Sequence, residues 1–211
     1  LPGVRIRAFD ISQSEVTVEQ YRRCVDAGRC GVPKTKVRRD YCNYEKDGRE
    51  RHPINCIDYA QAKDFAAFAQ ARLPTESEWE YAAKSAGQKR KYPWGDEEAT
   101  CARASLYHEG YGCGADSTFP VCSLPTGNTD HGLCDMAGNV WEWVQDKYKN
   151  THAGTPLDGT AYTRGHYGVM RGGSFSSMRA YHLRADRRSI VPPDERRCFL
   201  GFRVARDAPA K

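Results

Sequence analysis

Two carboxylates, Asp135 and Glu142, bracket the turn signal Ala137-Gly138-Asn139. Backbone carbonyls can point between such a pair, and an all-oxygen set of that kind suits a hard cation such as Ca2+. The plainer alternative is that Asp135 ends a turn and Glu142 is a solvated strand residue. Cys198 is a second residue able to do chemistry, because the neighbouring Arg196 and Arg197 would favour its thiolate. A leftover cysteine can equally be buried or paired with a partner outside the chain. Glu76, Glu78 and Glu80 could pass for catalytic acids, yet the start of a helix favours carboxylates without any chemistry. The six histidines, at 52, 108, 131, 152, 166 and 182, show no helical ligand spacing; His166 and His182 are the two best placed for a metal.

Elements must hold these groups in place. Val140-Trp-Glu-Trp-Val144 alternates as a strand does and sends both indoles to one face, over a substantial core. Phe9-Asp-Ile11 reads as an opening strand. Thr17 with Gln20 makes a capping box for a first helix that ends at Gly28. Asp58 with Gln61 opens a second helix, Ala60 to Gln70, whose Phe65, Phe68 and Ala69 share a stripe. Thr75 with Glu78 opens a third, with Trp79, Ala82 and Ala83 inward. Tyr92-Pro-Trp-Gly95 is a turn over two aromatics. Residues 31–55, 96–134 and 145–169 lack periodicity and read as loops. Val169 to Phe175 returns to β structure, 176–199 is irregular, and Leu200 to Arg206 is the last strand.

At 211 residues the chain is long enough for one well-buried domain, and one is expected over 1–211. No apolar run reaches membrane-spanning length. The sequence opens on Leu1 rather than Met, the start expected of a trimmed or a processed chain. Its charge of +5 is unevenly placed, with Arg179, Arg184, Arg187, Arg188, Arg196, Arg197, Arg203 and Arg206 crowding the C-terminal segment. Interspersed acids, and the lack of the aromatic interleaving of a single-strand platform, weigh against nucleic acid.

Nine cysteines are too many for a reducing compartment, and no Cys-x-x-Cys occurs. They fall in local couples: Cys24 with Cys30, Cys42 with Cys56, Cys101 with Cys113, and Cys122 with Cys134. Nearest-neighbour closure is the simplest pairing, leaving Cys198 over, and it implies an exported protein.

Four segments, in order, resemble the formylglycine-generating enzyme (sulfatase-modifying factor) family: Arg72-Leu-Pro-Thr-Glu-Ser-Glu-Trp-Glu-Tyr-Ala-Ala83, Tyr92-Pro-Trp-Gly-Asp-Glu97, Asp135-Met-Ala-Gly-Asn-Val-Trp-Glu-Trp143, and Arg171-Gly-Gly-Ser-Phe175 with Leu200-Gly-Phe-Arg203. The resemblance implies an α+β, C-type-lectin-like fold poor in regular structure, with short antiparallel strands and about three helices. It also implies a calcium site using the Asp135 and Glu142 side chains and the Gly138 and Val140 carbonyls. A second calcium site of the family would fall near Ser105 and Cys113, which depart from its Asn and Asp.

The family's enzymes bind copper through two cysteines just after the Gly-Gly-Ser turn. Here that place holds Ser176, Ser177, Met178, Arg179, Ala180, Tyr181 and His182. A hydroxyl cannot replace a thiolate as a soft copper ligand. The related sulfoxide synthases take their iron histidines largely from a helical domain absent from this sequence. The expected role is therefore recognition of a protein or other macromolecule through 176–199, by Ser176, Ser177, Arg179, Tyr181, His182, Arg187, Arg188, Arg197 and Phe199. Retroelement-diversified variable proteins of this fold vary the same segment. Phe175, Ser176, Tyr181, His182, Ser189, Cys198 and Phe199 are all reachable from an Asn codon by adenine mutation, whereas Met178 and Glu195 are not. The alternative is a copper- or iron-dependent oxidoreductase.

Overall fold

Thr17, Asp58 and Thr75 start three helices in the same way. Each side chain accepts the N–H three residues on, and Gln20, Gln61 or Glu78 bonds back to the cap's own N–H. Two groups that a helix start leaves orphaned are thereby satisfied reciprocally. The helices are α1 (Val18–Asp26), α2 (Tyr59–Phe68) and α3 (Glu76–Ala83). The computed structural model describes residues 3–33, 41–151 and 156–209. Residues 34–40 and 152–155 of the expected loops, His152 among them, lie outside the described residues.

α2 is shorter than expected and rolled differently. Its inward face is Gln61, Ala62, Phe65 and Ala66, while Phe68 is 37% exposed. At about 100° per residue those four positions form one stripe, and Phe68 falls on its flank.

The strands are β1 (Phe9–Ile11), β2 (Trp141–Lys147), β3 (Gly168–Arg171), β4 (Arg188–Val191), β5 (Leu200–Phe202) and β6 (Ala205–Asp207). They form a four-stranded sheet ordered β4-β3-β2-β5 and a separate β1-β6 pair. The strands depart from expectation in three ways. β2 and β5 run parallel, so the sheet is mixed rather than antiparallel. The single last strand is two, because the chain leaves β2 at Arg203-Val204 and crosses to β1. Segment 176–199 is not wholly irregular: it holds a 3-10 turn, Ala180–Leu183, and β4, whose Ile190 and Val191 suit a sheet edge.

β2 divides two cores. Trp141 and Trp143 pack with Tyr21, Phe65, Leu200 and Phe202 beneath α1 and α2. Val144 faces the other way, with Trp79, Ala83, Met136 and Val169. The period-2 alternation of a strand turns Glu142 toward α3, beside Val144. All four expected disulfides form: Cys24–Cys30, Cys42–Cys56, Cys101–Cys113 and Cys122–Cys134. Four bridges in one chain belong to an oxidising compartment. Among the described residues no helix is long and apolar enough to cross a membrane.

Candidate functional site

The turn before β2 is built on three residues in the left-handed region, Asp135, Gly138 and Asn139. Gly138 has no alternative: a Cβ there would lie 2.4 Å from the Ser105 carbonyl. Asp135 accepts the Cys122 N–H at 2.7 Å, which ties the turn to the Cys122–Cys134 bridge. Glu142 is fully buried, so it is not the solvated strand residue of the plainer alternative. Its Oε2 accepts from Trp79 Nε1 at 2.7 Å and from Arg203 Nε at 2.8 Å. Its Oε1 accepts from Arg203 Nη2 at 2.9 Å, which leaves a lone pair over on that oxygen.

Glu15, which the sequence did not single out, completes the centre. It is 1% exposed, and its two oxygens take the Val140 N–H and the Asn139 side-chain amide. Burial pushes its carboxyl well above the usual range, and Asp135 and Glu142 push it further. Burial also raises Asp135. Among the described residues, buried Glu15 and Glu142 and half-buried Asp135 thus share one guanidinium, Arg203, an imbalance that a bound cation would relieve. Nothing in Ser14-Glu-Val16 distinguishes this glutamate from a solvated one; only the fold brings it to the turn.

As to donors, no loop or turn backbone N–H bonds the Gly138 or Val140 carbonyl among the described residues. Among the same residues no three His, Cys, Asp or Glu side chains gather into a metal-binding group. A cation at this turn would therefore draw on carbonyls together with Asp135 and one Glu142 oxygen, a donor set that calcium accepts.

The three helix glutamates serve the fold. Arg171, wholly buried, bonds Glu76 at 3.0 Å, Glu80 at 2.8 Å and the Ala185 carbonyl at 2.7 Å, and lies 5.2 Å over Trp79. Although burial alone would raise Glu80, Arg171 and Lys84 hold it down to about 2. Arg188 bonds Glu76 and the Lys149 carbonyl, so it braces β4 rather than facing outward. Arg72 grips Glu78 with both ends of its fork.

The turn also fixes the segment expected to bind a ligand. Gly138 N–H bonds the Gly172 carbonyl, and Phe175 N–H bonds the Asn139 carbonyl at 2.7 Å. Beyond that anchor the expected residues divide. Ser177 is buried and its hydroxyl holds the Ser174 N–H. Met178 is 72% and Tyr181 49% exposed, Arg179 is exposed, and Ser176, His182, Arg187, Arg197 and Phe199 are half-buried. Arg187 lies 4.6 Å over the Tyr181 ring and donates to its hydroxyl at 2.6 Å. Burial, then Arg187 and Arg179, pull the His182 imidazole below its usual range. Arg197 sits 5.7 Å over Phe199 and 3.3 Å from Glu195.

Beside this face opens a cleft of about 140 Å3, lined by Tyr41, Tyr111, Phe175, Ser176, Met178, Cys198 and Phe199. Tyr41 lies 5.5 Å from Tyr111 and 6.2 Å from Phe175. Neither tyrosine stood out in the sequence, because each sits in a loop without periodicity. The Cys42–Cys56 bridge, adjacent to Tyr41, is the local signal that could have placed one of them. Buried Cys198 forms part of the lining.

The sequence profile of the sulfatase-modifying factor enzyme 1-like domain matches residues 2–208. The chain is 32% identical to hercynine oxygenase of Mycolicibacterium thermoresistibile, over 97% of this chain and 52% of that protein. It is 38% identical to formylglycine-generating enzyme of Streptomyces coelicolor, over 76% of this chain and 54% of that one. The chain thus spans about half the length of these curated relatives. Treponema denticola variable protein 1 superposes with a TM-score of 0.75 at 21% identity, over 97% of this chain and 86% of that one, which establishes the C-type-lectin-like fold.

Proposed function

The chain belongs to the sulfatase-modifying factor enzyme 1-like family, and from that premise we propose that it recognises a macromolecular ligand through the exposed part of 176–199. The carrying observation is the make-up of that face. Where the family's enzymes are expected to place two copper-binding cysteines, this chain buries Ser177 and presents Ser176, Met178, Arg179, Tyr181 and His182 on a frame fixed by the Asn139–Phe175 bond. Exposed aromatic and arginine side chains on a rigid support are the usual material of a recognition surface.

Calcium at the 135–142 turn is part of this reading. Asp135, the Gly138 and Val140 carbonyls and one Glu142 oxygen would hold it, and its charge would offset the excess of buried carboxylates. Export to an oxidising compartment is the other part, supported by the four disulfides. The same fold in a variable protein of Treponema denticola supports diversification of the segment, for which a near-copy template repeat beside the gene would be the mark.

A second reading, a copper- or non-haem-iron-dependent oxidoreductase, is favoured by the identity to two curated enzymes. Elemental analysis after mild purification separates the two. Recognition predicts calcium without stoichiometric copper or iron; a stoichiometric redox metal, or turnover of a peptidyl cysteine, overturns it. Independently, immobilised protein is expected to enrich binders from a displayed random-peptide library, and Met178→Asp should abolish that enrichment. Enrichment no better than on an unrelated disulfide-rich protein would rule out peptide recognition.

A further inference from the structure

The aromatic cleft and the arginines beside it form one surface. The Phe199 carbonyl accepts the Trp141 N–H at 2.7 Å, the Trp141 indole lies 6.4 Å from the His182 ring, and His182 adjoins Tyr181 with Arg187 stacked on it. Met178 belongs to the cleft lining, and Arg179 follows it in the chain. Aromatic rings dominate the cleft walls, so what enters must be apolar and flat.

A box of rings could also suit a cation. The surroundings decide against that. Neither Arg179 nor Arg187 has an acidic partner among the described residues, and Arg197 has only Glu195. A cationic group would have to settle beside three guanidiniums, of which only Arg197 is paired with a carboxylate among the described residues. An anionic chain would be drawn in, and the planar guanidinium forks could take its carboxylates in pairs. Arg187 is already held by Tyr181, so little of its freedom would be lost on binding. Burial first, then the nearby Arg187 and Arg179, hold His182 below its usual range, as expected of a ring lying close to both guanidiniums.

We infer that this surface takes an acidic segment of a partner protein, which inserts one planar aromatic side chain into the cleft and lays its carboxylates on Arg179 and Arg187. The inference rests on the recognition reading and narrows it to one ligand chemistry.

The test uses the whole chain with its bridges intact and three fluorescein-labelled pentapeptides: Asp-Glu-Trp-Glu-Asp, Asp-Glu-Ala-Glu-Asp and Lys-Lys-Trp-Lys-Lys. Fluorescence anisotropy should show the first binding about tenfold or more tighter than either other. Its affinity should fall as salt rises. Arg179→Glu with Arg187→Glu should weaken it about tenfold or more while far-UV circular dichroism stays unchanged. Met178→Ser, an exposed and uncharged change at the cleft, should weaken the tryptophan peptide and leave the alanine peptide unmoved. Equal binding of the three peptides, tighter binding of the lysine peptide, or no binding of any overturns the inference. If the random library is nevertheless enriched, recognition stands and only the ligand chemistry is wrong.

Discussion

Arg203 meets Glu142 through two hydrogen bonds, Nε to Oε2 at 2.8 Å and Nη2 to Oε1 at 2.9 Å, with both side chains sealed from solvent. The guanidinium also donates to the carbonyls of Ser12, Gln13 and Cys134, so one side chain joins the N-terminal loop, the turn and β2. Removing it would strand Glu142 beside Glu15 and Asp135. Arg203→Met should cost about 3–5 kcal/mol of stability. Arg203→Lys should recover less than half of that, since an ammonium cannot form the paired bonds. Urea unfolding with the bridges intact measures both, and a loss under about 1 kcal/mol for the Met variant would contradict this account of the centre.

Calcium should stabilise the protein against heat. Added at about a hundredfold excess over its dissociation constant, it would contribute about 2.7 kcal/mol, raising Tm relative to protein in EGTA. Asp135→Asn should abolish the response. A wild-type Tm that ignores calcium would dispose of the site.

Two buried groups should give opposite pH slopes. Burial lifts Asp146 to about 6, although its oxygens accept the Glu76 and Tyr162 N–H groups. The folded state therefore binds a proton that the unfolded state releases between about pH 4 and 6, and stability falls as pH rises through that window. The span corresponds to at most about 3 kcal/mol. Burial, then Arg49, lowers His52 to about 4. There the unfolded state binds the proton first, so stability falls as pH drops from about 6.5 to 4. Relative to wild type, Asp146→Asn should lose the gain on acidification, and His52→Gln should lose the penalty. Urea midpoints at pH 4, 5, 6 and 7 would check the signs; parallel profiles for wild type and both variants would refute them.

The Cys101–Cys113 bridge closes a loop with a sequence separation of 12 residues. Loop-closure entropy assigns such a crosslink about 3 kcal/mol. Replacing both cysteines by serine should lower stability by roughly that amount in urea. A non-reducing peptide map should return the four couples as drawn, and any exchanged partner would contradict the loop in which the Cys113 N–H bonds the Leu106 carbonyl at 2.7 Å.

The sequence revealed those parts of the fold that are specified locally. The three capping boxes, Phe9–Ile11, the tryptophan strand and the nearest-neighbour cysteines each carry their signal within about a dozen residues. Phe68 was misjudged because helical spacing says which residues share a stripe, but not which stripe meets a neighbour. The parallel pairing of β2 with β5 and the strand at Arg188–Val191 depend on partners far along the chain. At the turn, Asp135 and Glu142 were legible from their spacing. Glu15, Arg203 as the shared guanidinium and the tyrosine walls of the cleft were not, since each is brought there from a distant segment. Of the arginines expected on the binding face, Arg188 is committed to Glu76, which no count of charges could distinguish from Arg187.

The pairing of Phe9 with Asp207 and of Ile11 with Ala205 means that the polypeptide enters and leaves this unit at one doorway. A longer protein could thus carry it as a cassette spliced into a surface loop, its two flanks kept side by side.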